Sequence, residues 1–422
     1  MRPLLHCDER HRALTTVPRR SARSWSASRN RYRLLAVLTL TALGSFADRA
    51  FAQPPAVPAT SAAPARPVTA QQMADYRRRL TEYTAARESF EHEAGAYWSA
   101  ISEKRRTRNT RRRNNEPVNA DHYVMIQPPL YRGPSKPADP SAPTPEKRPS
   151  RPIPVIRDFL QHASEQFQFT PQRPKSEIEF KRAYAAVAKS AGLTKDQAVR
   201  VYGFESGGNG AYDIQAGLEQ ARPNARAIST ALGYNQLLVA NTVELLAEQG
   251  THIIEQLKRR ADTLPESQRA RLMHKIATVH RMVTFCKSVP DTWSAHVKLA
   301  QTPKGMGVHA LNLDVDVGPW LQTHKLLTSV VFARRKGYTA PLTAAELEMM
   351  NLTGDGTGFD MVSMPHALRA QVPTANFFQR EGYERNPVAI RNNVVAKLLA
   401  ATDARMDRES TLPGARDLAA AF

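Results

Sequence analysis

The sequence predicts a mainly α-helical fold, in which a helical domain follows a long amphipathic helix and proline-rich linkers. From residue 156 to residue 422, apolar residues recur at steps of three and four between helix-capping residues, a spacing typical of helices that bury one face. The alternation typical of β-strands is scarce. Many of the 30 prolines lie in residues 53–68 and 117–155, so we expect extended linkers there.

The N-terminal 52 residues have the pattern of a signal peptide. Arg29, Arg31 and Arg33 precede an apolar run at 34–47, and "AFA" at 50–52 provides a small-x-small cleavage site. The run is too short to span a bilayer, which needs about 20 apolar residues. We therefore expect a protein exported to the periplasm or cell envelope, with no transmembrane helix after cleavage.

The charge is distributed unevenly along the chain. The formal net charge is +20, and residues 1–151 carry 27 Lys and Arg against 13 Asp and Glu, whereas residues 152–422 carry 32 against 26. A basic excess favours polyanionic partners. Because an exported protein rarely meets nucleic acid, cell-wall polymer or lipid headgroups are the expected partners.

After a Pro- and Ala-rich tether at 53–68, residues 69–116 predict a long amphipathic helix. Its apolar seam has alternating three- and four-residue steps, and the helix should dock on the main domain or pair with another chain, such as an envelope or secretion-machine partner. The seam comprises Met73, Tyr76, Leu80, Tyr83, Phe90, Ala94, Tyr97 and Ile101. A basic tract at 103–115 ends the helix, as a solvated end or as a contact with an anionic surface.

A Pro-rich linker or surface strap at 117–155 leads into the helical domain at 156–422. Gly192 is a predicted C-cap, and Thr194 with Gln197 has the spacing of a capping box that opens the next helix. Further helices are expected near 241–260, 266–289, 319–336, 344–351 and 387–407. The best strand signal is at 307–318, where a short hairpin and an irregular loop are both compatible with the sequence.

The helix that Thr194 opens runs into "VRVYGFESGGNG" at 199–210 and places Glu205 in its last turn, on the apolar face. Partial burial and the negative end of the helix dipole would both raise the pKa of Glu205, as a general acid requires. The alternative is an exposed glutamate before a glycine turn. The stretch by itself leaves both interpretations open.

Downstream, "STALGYNQLL" at 229–238 follows the Glu205-Ser206 pair in an order that resembles lytic transglycosylases and goose-type lysozymes. The resemblance implies a lysozyme-like catalytic domain. It implies that Glu205 is the catalytic acid/base, that Ser206 orients it or the substrate, and that Gln236 lines the sugar groove. The other expected substrate contacts are Ser229, Tyr234 and a late tyrosine, either Tyr383 or Tyr338, for which packing on the core is the alternative.

The resemblance implies an exported lytic transglycosylase that acts on peptidoglycan glycan strands without metal or cofactor. Such an enzyme needs one acid, because the C6 hydroxyl of muramic acid attacks the anomeric carbon and leaves a 1,6-anhydro end. The alternatives are a hydrolytic muramidase on the same fold and a catalytically silent envelope scaffold. A hydrolase needs a second carboxylate, for which the candidates are Asp213, Glu219, Asp355 and Asp360. The gap between Glu205 and Gln236 is longer than the family's usual spacing, and residues 211–228 fill it.

Overall fold

The computed structural model describes residues 68–142, 152–218 and 225–422, so the predicted signal peptide and nearly all of the tether lie outside the described residues. The described part is mainly α-helical, as the sequence predicts. Its helices are, in chain order, α1 Ala70–Arg113, α2 Ile156–Phe167, α3 Glu177–Ala191, α4 Lys195–Ser206, α5 Val239–Ala261, α6 Glu266–Cys286, α7 Trp293–Ala300, α8 Pro303–His309, α9 Gly318–Arg335, α10 Ala344–Thr353, α11 Asp355–Val362, α12 His366–Arg369, α13 Arg380–Glu384, α14 Pro387–Arg391, α15 Val395–Ser410 and α16 Pro413–Ala421.

Local capping signals set the helix ends around the predicted site. Gly192 takes the left-handed conformation (φ 93°) and ends α3. Thr194 and Gln197 form the reciprocal capping box that opens α4, and Gly207 (φ 65°) ends that helix. The predicted helix ends are confirmed. The side chains of Thr194 and Gln197 bond to backbone N–H groups, and the two glycines adopt the left-handed conformation that ends a helix.

Residues 307–318 take the irregular of their two expected forms, and residues 387–407 differ from their predicted form. Residues 307–318 contain the end of α8, a 3-10 turn at Ala310–Leu313 and the start of α9. In this loop the buried Asp314 carboxylate accepts the backbone N–H groups of Asp316 and Val317, which holds the chain in a turn. The predicted 387–407 helix is two helices, because the chain between α14 and α15 pairs with residues 372–374.

The two largest hydrophobic clusters form most of the core of the helical domain. One is built around α3, α4, α10 and α16, and the other around α2, α5, α6 and α8. Helix α9 joins them, since Leu321 belongs to the second cluster and Leu326 to the first. The boundary between the clusters is therefore at the middle of α9.

The C-terminal half of α1 docks on this domain. Ala94, Tyr97, Trp98 and Ile101 are buried, in a cluster with residues near 375–389. Within the basic tract, the side chain of Arg105 is 6% exposed and that of Arg108 is fully buried. Neither expectation for this tract, a solvated end or an anionic-surface contact, describes these two arginines, because their donors are used inside the protein.

The described residues belong to one compact unit. None of the helices in the described ranges carries an apolar stretch long enough to cross a membrane.

Candidate active site

Glu205 lies in the last turn of α4 and is partly buried. The turns before it are held in the core by Val201 and Tyr202, both fully buried. Gly207 follows the helix in the left-handed region at φ 65°, a conformation that glycine adopts without strain. The carboxyl group is thus placed at a helix end by residues on both sides of it.

Two side chains of α10 meet Glu205. Glu348 is the neighbouring carboxyl of Glu205, near enough for the two groups to share a proton, and Nδ2 of Asn351 donates to Oε1 of Glu205 at 3.0 Å. Glu348 is fully buried. Because residues three apart share a helix face, α10 presents Glu348 and Asn351 to the end of α4 together.

Burial raises the pKa of Glu205 above its ordinary value, although Lys325, Arg405 and the hydrogen bonds from Glu348 and Asn351 favour the ionised form. Burial, with the charge of Glu205 next, raises the pKa of Glu348 well above its usual range, although the amide of Asn351 acts against this rise. Two carboxyl groups in contact cannot both ionise cheaply. The pair therefore retains a proton more readily than two separate glutamates would.

Lys325, in the middle of α9, is the cation common to this site. Its charge lowers the pKa values of four carboxyl groups, those of Glu205, Glu348, Glu244 and Asp355. Asp355 also accepts a hydrogen bond of 2.5 Å from the hydroxyl of Ser329. The site thus lies where α4, α9, α10 and α11 come together, at the boundary between the two core clusters.

A polar face on α5 extends from this boundary. Glu244, Glu248 and His252 are spaced by four residues and share one side of the helix. Burial raises the pKa of Glu244 to about 7, and the neighbouring charge of Glu248 adds to the effect. The His252 ring lies 5.6 Å from that of His324 on α9, between centroids. Glu244 and Glu205 are therefore linked through their common neighbour Lys325.

The "STALGYNQLL" segment folds as a tight turn closed by reciprocal backbone hydrogen bonds between Leu232 and Leu237. Gly233 has φ 82°, and a Cβ there would overlap Nε2 of Gln322. The buried Gln322 of α9 accepts the backbone N–H of Asn235 at 2.8 Å and donates to the carbonyl of Leu232 at 3.2 Å. Only glycine suits this position, because the turn lies directly on α9.

The structure places the other signature residues in and around this turn. Tyr234 is fully buried and its hydroxyl donates to Glu177, so it does not line an open groove. Gln236 is partly buried and donates to the carbonyl of Gly233 at 2.8 Å. Ser206 donates to the carbonyl of Tyr202 at 2.6 Å. Gln236 also donates to the carbonyl of Ile214 at 3.3 Å, so both Ser206 and Gln236 bond to backbone carbonyls.

Ser229 also serves the turn, since its hydroxyl accepts the backbone N–H of Ala231 at 3.1 Å. The two tyrosine candidates lie elsewhere. Tyr383 is 3% exposed and packs beside Trp98, with 5.8 Å between ring centroids, in the cluster under α1. Tyr338 lines a cavity of about 130 Å³ beside Thr194. That cavity is at the opposite end of α4 from Glu205, since eleven helical residues span roughly 16 Å.

The predicted second acids are mostly engaged away from Glu205. Asp213 pairs with Arg173 at 3.2 Å, and Asp360 with Arg108 at 2.7 Å. Glu219 lies outside the described residues. Asp355 alone shares a cation, Lys325, with Glu205.

The sequence reasoning missed Glu348, Asn351, Lys325 and Glu244. One signal could have identified Glu348, which lies in "LEMM" between apolar residues of a helix that has no polar face at that point. A carboxyl in such a run must be buried, and a buried carboxyl must be paired or protonated.

In the described ranges no three His, Cys, Asp or Glu side chains are arranged to hold a metal ion.

No protein-family model matches the sequence, and no curated protein and no solved structure shows significant similarity to it.

Proposed function

We propose that the protein is an exported peptidoglycan lytic transglycosylase that cleaves the bond between N-acetylmuramic acid and N-acetylglucosamine. Glu205 is the general acid and base. It protonates the glycosidic oxygen as the bond to the anomeric carbon breaks, and its carboxylate then takes the proton of the muramic acid C6 hydroxyl. That hydroxyl closes the 1,6-anhydro ring, so the step needs neither water nor a second acid.

The observation that carries this proposal is the contact between Glu205 and Glu348 at the end of α4. A general acid must hold its proton near neutral pH, and burial raises the pKa of Glu205 in that direction. Hydrolases instead separate their two carboxyl groups by about 5 to 10 Å, so that a sugar or a water fits between them. A pair in direct contact supports single-acid chemistry.

The proposed substrate is consistent with the charge of the chain. Muramic acid carries stem peptides with free carboxylates, which the net positive charge of the chain attracts. Within the described basic tract, Arg106 and Arg113 remain exposed. They are available for an anionic polymer or an envelope partner, unlike Arg105 and Arg108.

Glu244 favours a second candidate, a hydrolytic muramidase on the same fold. Its pKa is raised to about 7 by burial, which suits a general base that activates water. It also shares Lys325 with Glu205. The product separates the two reactions, because hydrolysis leaves a reducing sugar in place of an anhydro end.

The test compares full-length wild type with Glu205→Gln in a wall-lysis assay. We expect Glu205→Gln to lose about 10²- to 10⁴-fold in rate, the contribution of a general acid, and to retain wall binding and thermal stability. Glu255→Gln is the control, since Glu255 is an exposed acid of α5 whose loss leaves no buried partner unpaired. Equal lysis by wild type and Glu205→Gln would refute the assignment, and binding without lysis by wild type would favour a silent scaffold.

A further inference from the structure

The carboxyl of Glu348 is fully buried, yet neither of its oxygens has a hydrogen-bond donor among the described residues. Its neighbour is another carboxyl, that of Glu205. A buried carboxylate without a donor is costly. A single proton between the two groups removes the cost, since Glu348 then donates and Glu205 accepts.

Asn351 fixes the geometry of this contact. Its Nδ2 donates to Oε1 of Glu205 at 3.0 Å, and its buried Oδ1 has no donor in the described part of the chain. The amide therefore fixes the position of one carboxyl oxygen of Glu205.

We propose, on the basis of the function proposed above, that Glu348 is a positioning residue that shares one proton with Glu205 and keeps that proton available to it through neutral pH. Glu348 does not touch the substrate, because it is fully buried behind Glu205.

The charged groups that face Glu205 come from three packed helices. They are Glu348 of α10, Lys325 of α9 and Arg405 of α15. Arg405 lies 3.9 Å from Glu409 and donates to the carbonyl of Phe204 at 2.9 Å. The two cations and the hydrogen bond from Glu348 favour ionised Glu205. Burial, and then the charge of Glu205, raise the pKa of Glu348 and so oppose loss of the last proton of the pair.

The proton balance of the reaction closes without any outside donor. The shared proton passes from Glu348 to Glu205 and on to the glycosidic oxygen, and both carboxylates stay ionised until the C6 hydroxyl returns a proton to Glu205. During that interval the cations and Asn351 stabilise the charge on Glu205. The returned proton is then shared with Glu348 again, and the site is ready for the next cleavage.

The experiment uses NMR to follow the protonation of carboxyl groups in the full-length chain, labelled with ¹³C at its glutamate carboxyl carbons. The signal of Glu205 is assigned because it is lost in Glu205→Gln. In wild type we expect two coupled steps, the last of which belongs to the pair. In Glu348→Gln, Glu205 should titrate in one step that ends at lower pH. The ratio of lysis rates at about pH 8 and pH 5 should then fall about tenfold or more, since one pH unit is a factor of ten in the protonated fraction.

Glu255→Gln, at an exposed acid of α5, is the control and should leave the Glu205 titration and the lysis profile unchanged. If Glu348→Gln does not fold, Glu205→Gln gives the reciprocal result, because Glu348 should then lose its proton at lower pH than in wild type. An unchanged titration in these variants overturns the proposal. A shifted titration without any wall lysis by wild type would support proton sharing and refute the transglycosylase function instead.

Discussion

Nε of Arg108 lies 2.7 Å from Oδ2 of Asp360, and both side chains are almost completely excluded from solvent. Arg112 pairs with the same carboxylate, and the Arg108 guanidinium lies 4.4 Å from the centre of the Tyr123 ring. This buried group joins α1 to α11, the helix that begins with Asp355. The long N-terminal helix is thus anchored to an element of the candidate active site.

Asp360→Asn should destabilise the protein by about 3 to 5 kcal/mol, because it leaves Arg108 buried without its counter-charge. Chemical denaturation measures the change. The exposed Asp75, which pairs with Arg78 at 3.3 Å, provides the control, and Asp75→Asn should cost less than about 1 kcal/mol. Similar costs for the two variants would show that α1 is held by its apolar contacts alone.

Gly233→Ala should cost about 1 to 3 kcal/mol, since alanine at φ 82° is strained and its Cβ would press on the bonded amide of Gln322. Thermal unfolding reports the loss. Gly95, in the middle of α1, is the control, because a Cβ added there would meet no atom within 4 Å. Gly95→Ala should therefore be neutral or stabilise the helix by up to about 1 kcal/mol. A Gly233→Ala protein as stable as wild type would contradict the close approach of the turn to α9.

Tyr234→Phe separates a structural tyrosine from a substrate contact. Loss of the buried hydroxyl that donates to Glu177 should lower stability by about 1 to 3 kcal/mol and leave affinity for purified walls unchanged. Tyr76→Phe, on the outer part of α1, should change neither quantity. A Tyr234→Phe variant with weakened wall binding and wild-type stability would restore the substrate role that the sequence suggested.

Glu244 predicts a pH dependence of stability. Its pKa is about 7 in the folded protein against about 4.3 in an unfolded chain, so the folded state binds the proton more tightly. The free energy of unfolding therefore falls as pH rises from about 4.5 to about 7. Glu244→Gln removes this contribution and should raise Tm relative to wild type more at about pH 8 than at about pH 5.

The exposed Glu255 of the same helix is the control for that measurement. Glu255→Gln should keep the wild-type dependence of Tm on pH. If Glu244→Gln shifts Tm equally at both pH values, Glu244 titrates in the same range in the folded and unfolded states. That result would also remove the support for Glu244 as a hydrolytic base.

The sequence was informative where structure depends on neighbouring residues. Thr194, Gly192 and Gly207 act within one helical turn, so the ends of α3 and α4 and the place of Glu205 in the last turn could be predicted. The partners of Glu205 could not, since Asn351 lies 146 residues further along the chain. Only the packing of α10 on α4 brings them together.

The partners of the basic tract could not be predicted from the sequence either. Its arginines predict a polar helix end, and Arg108 finds its carboxylate 252 residues away. Tyr234 was expected to contact the substrate because its motif resembles one that lines a sugar groove. In this chain Glu177 of α3 instead provides a buried acceptor for the Tyr234 hydroxyl. In both cases the acceptor is a single acid on a distant helix, which no local pattern identifies.

The most direct test of the central claim is mass spectrometry of the products released from purified peptidoglycan by the full-length chain. Glycan fragments ending in 1,6-anhydro-muramic acid, lighter by one water than hydrolysis products, are expected from wild type and should be absent with Glu205→Gln. Reducing ends alone would make the protein a hydrolase. The same anhydro products from wild type and Glu205→Gln would contradict the role of Glu205.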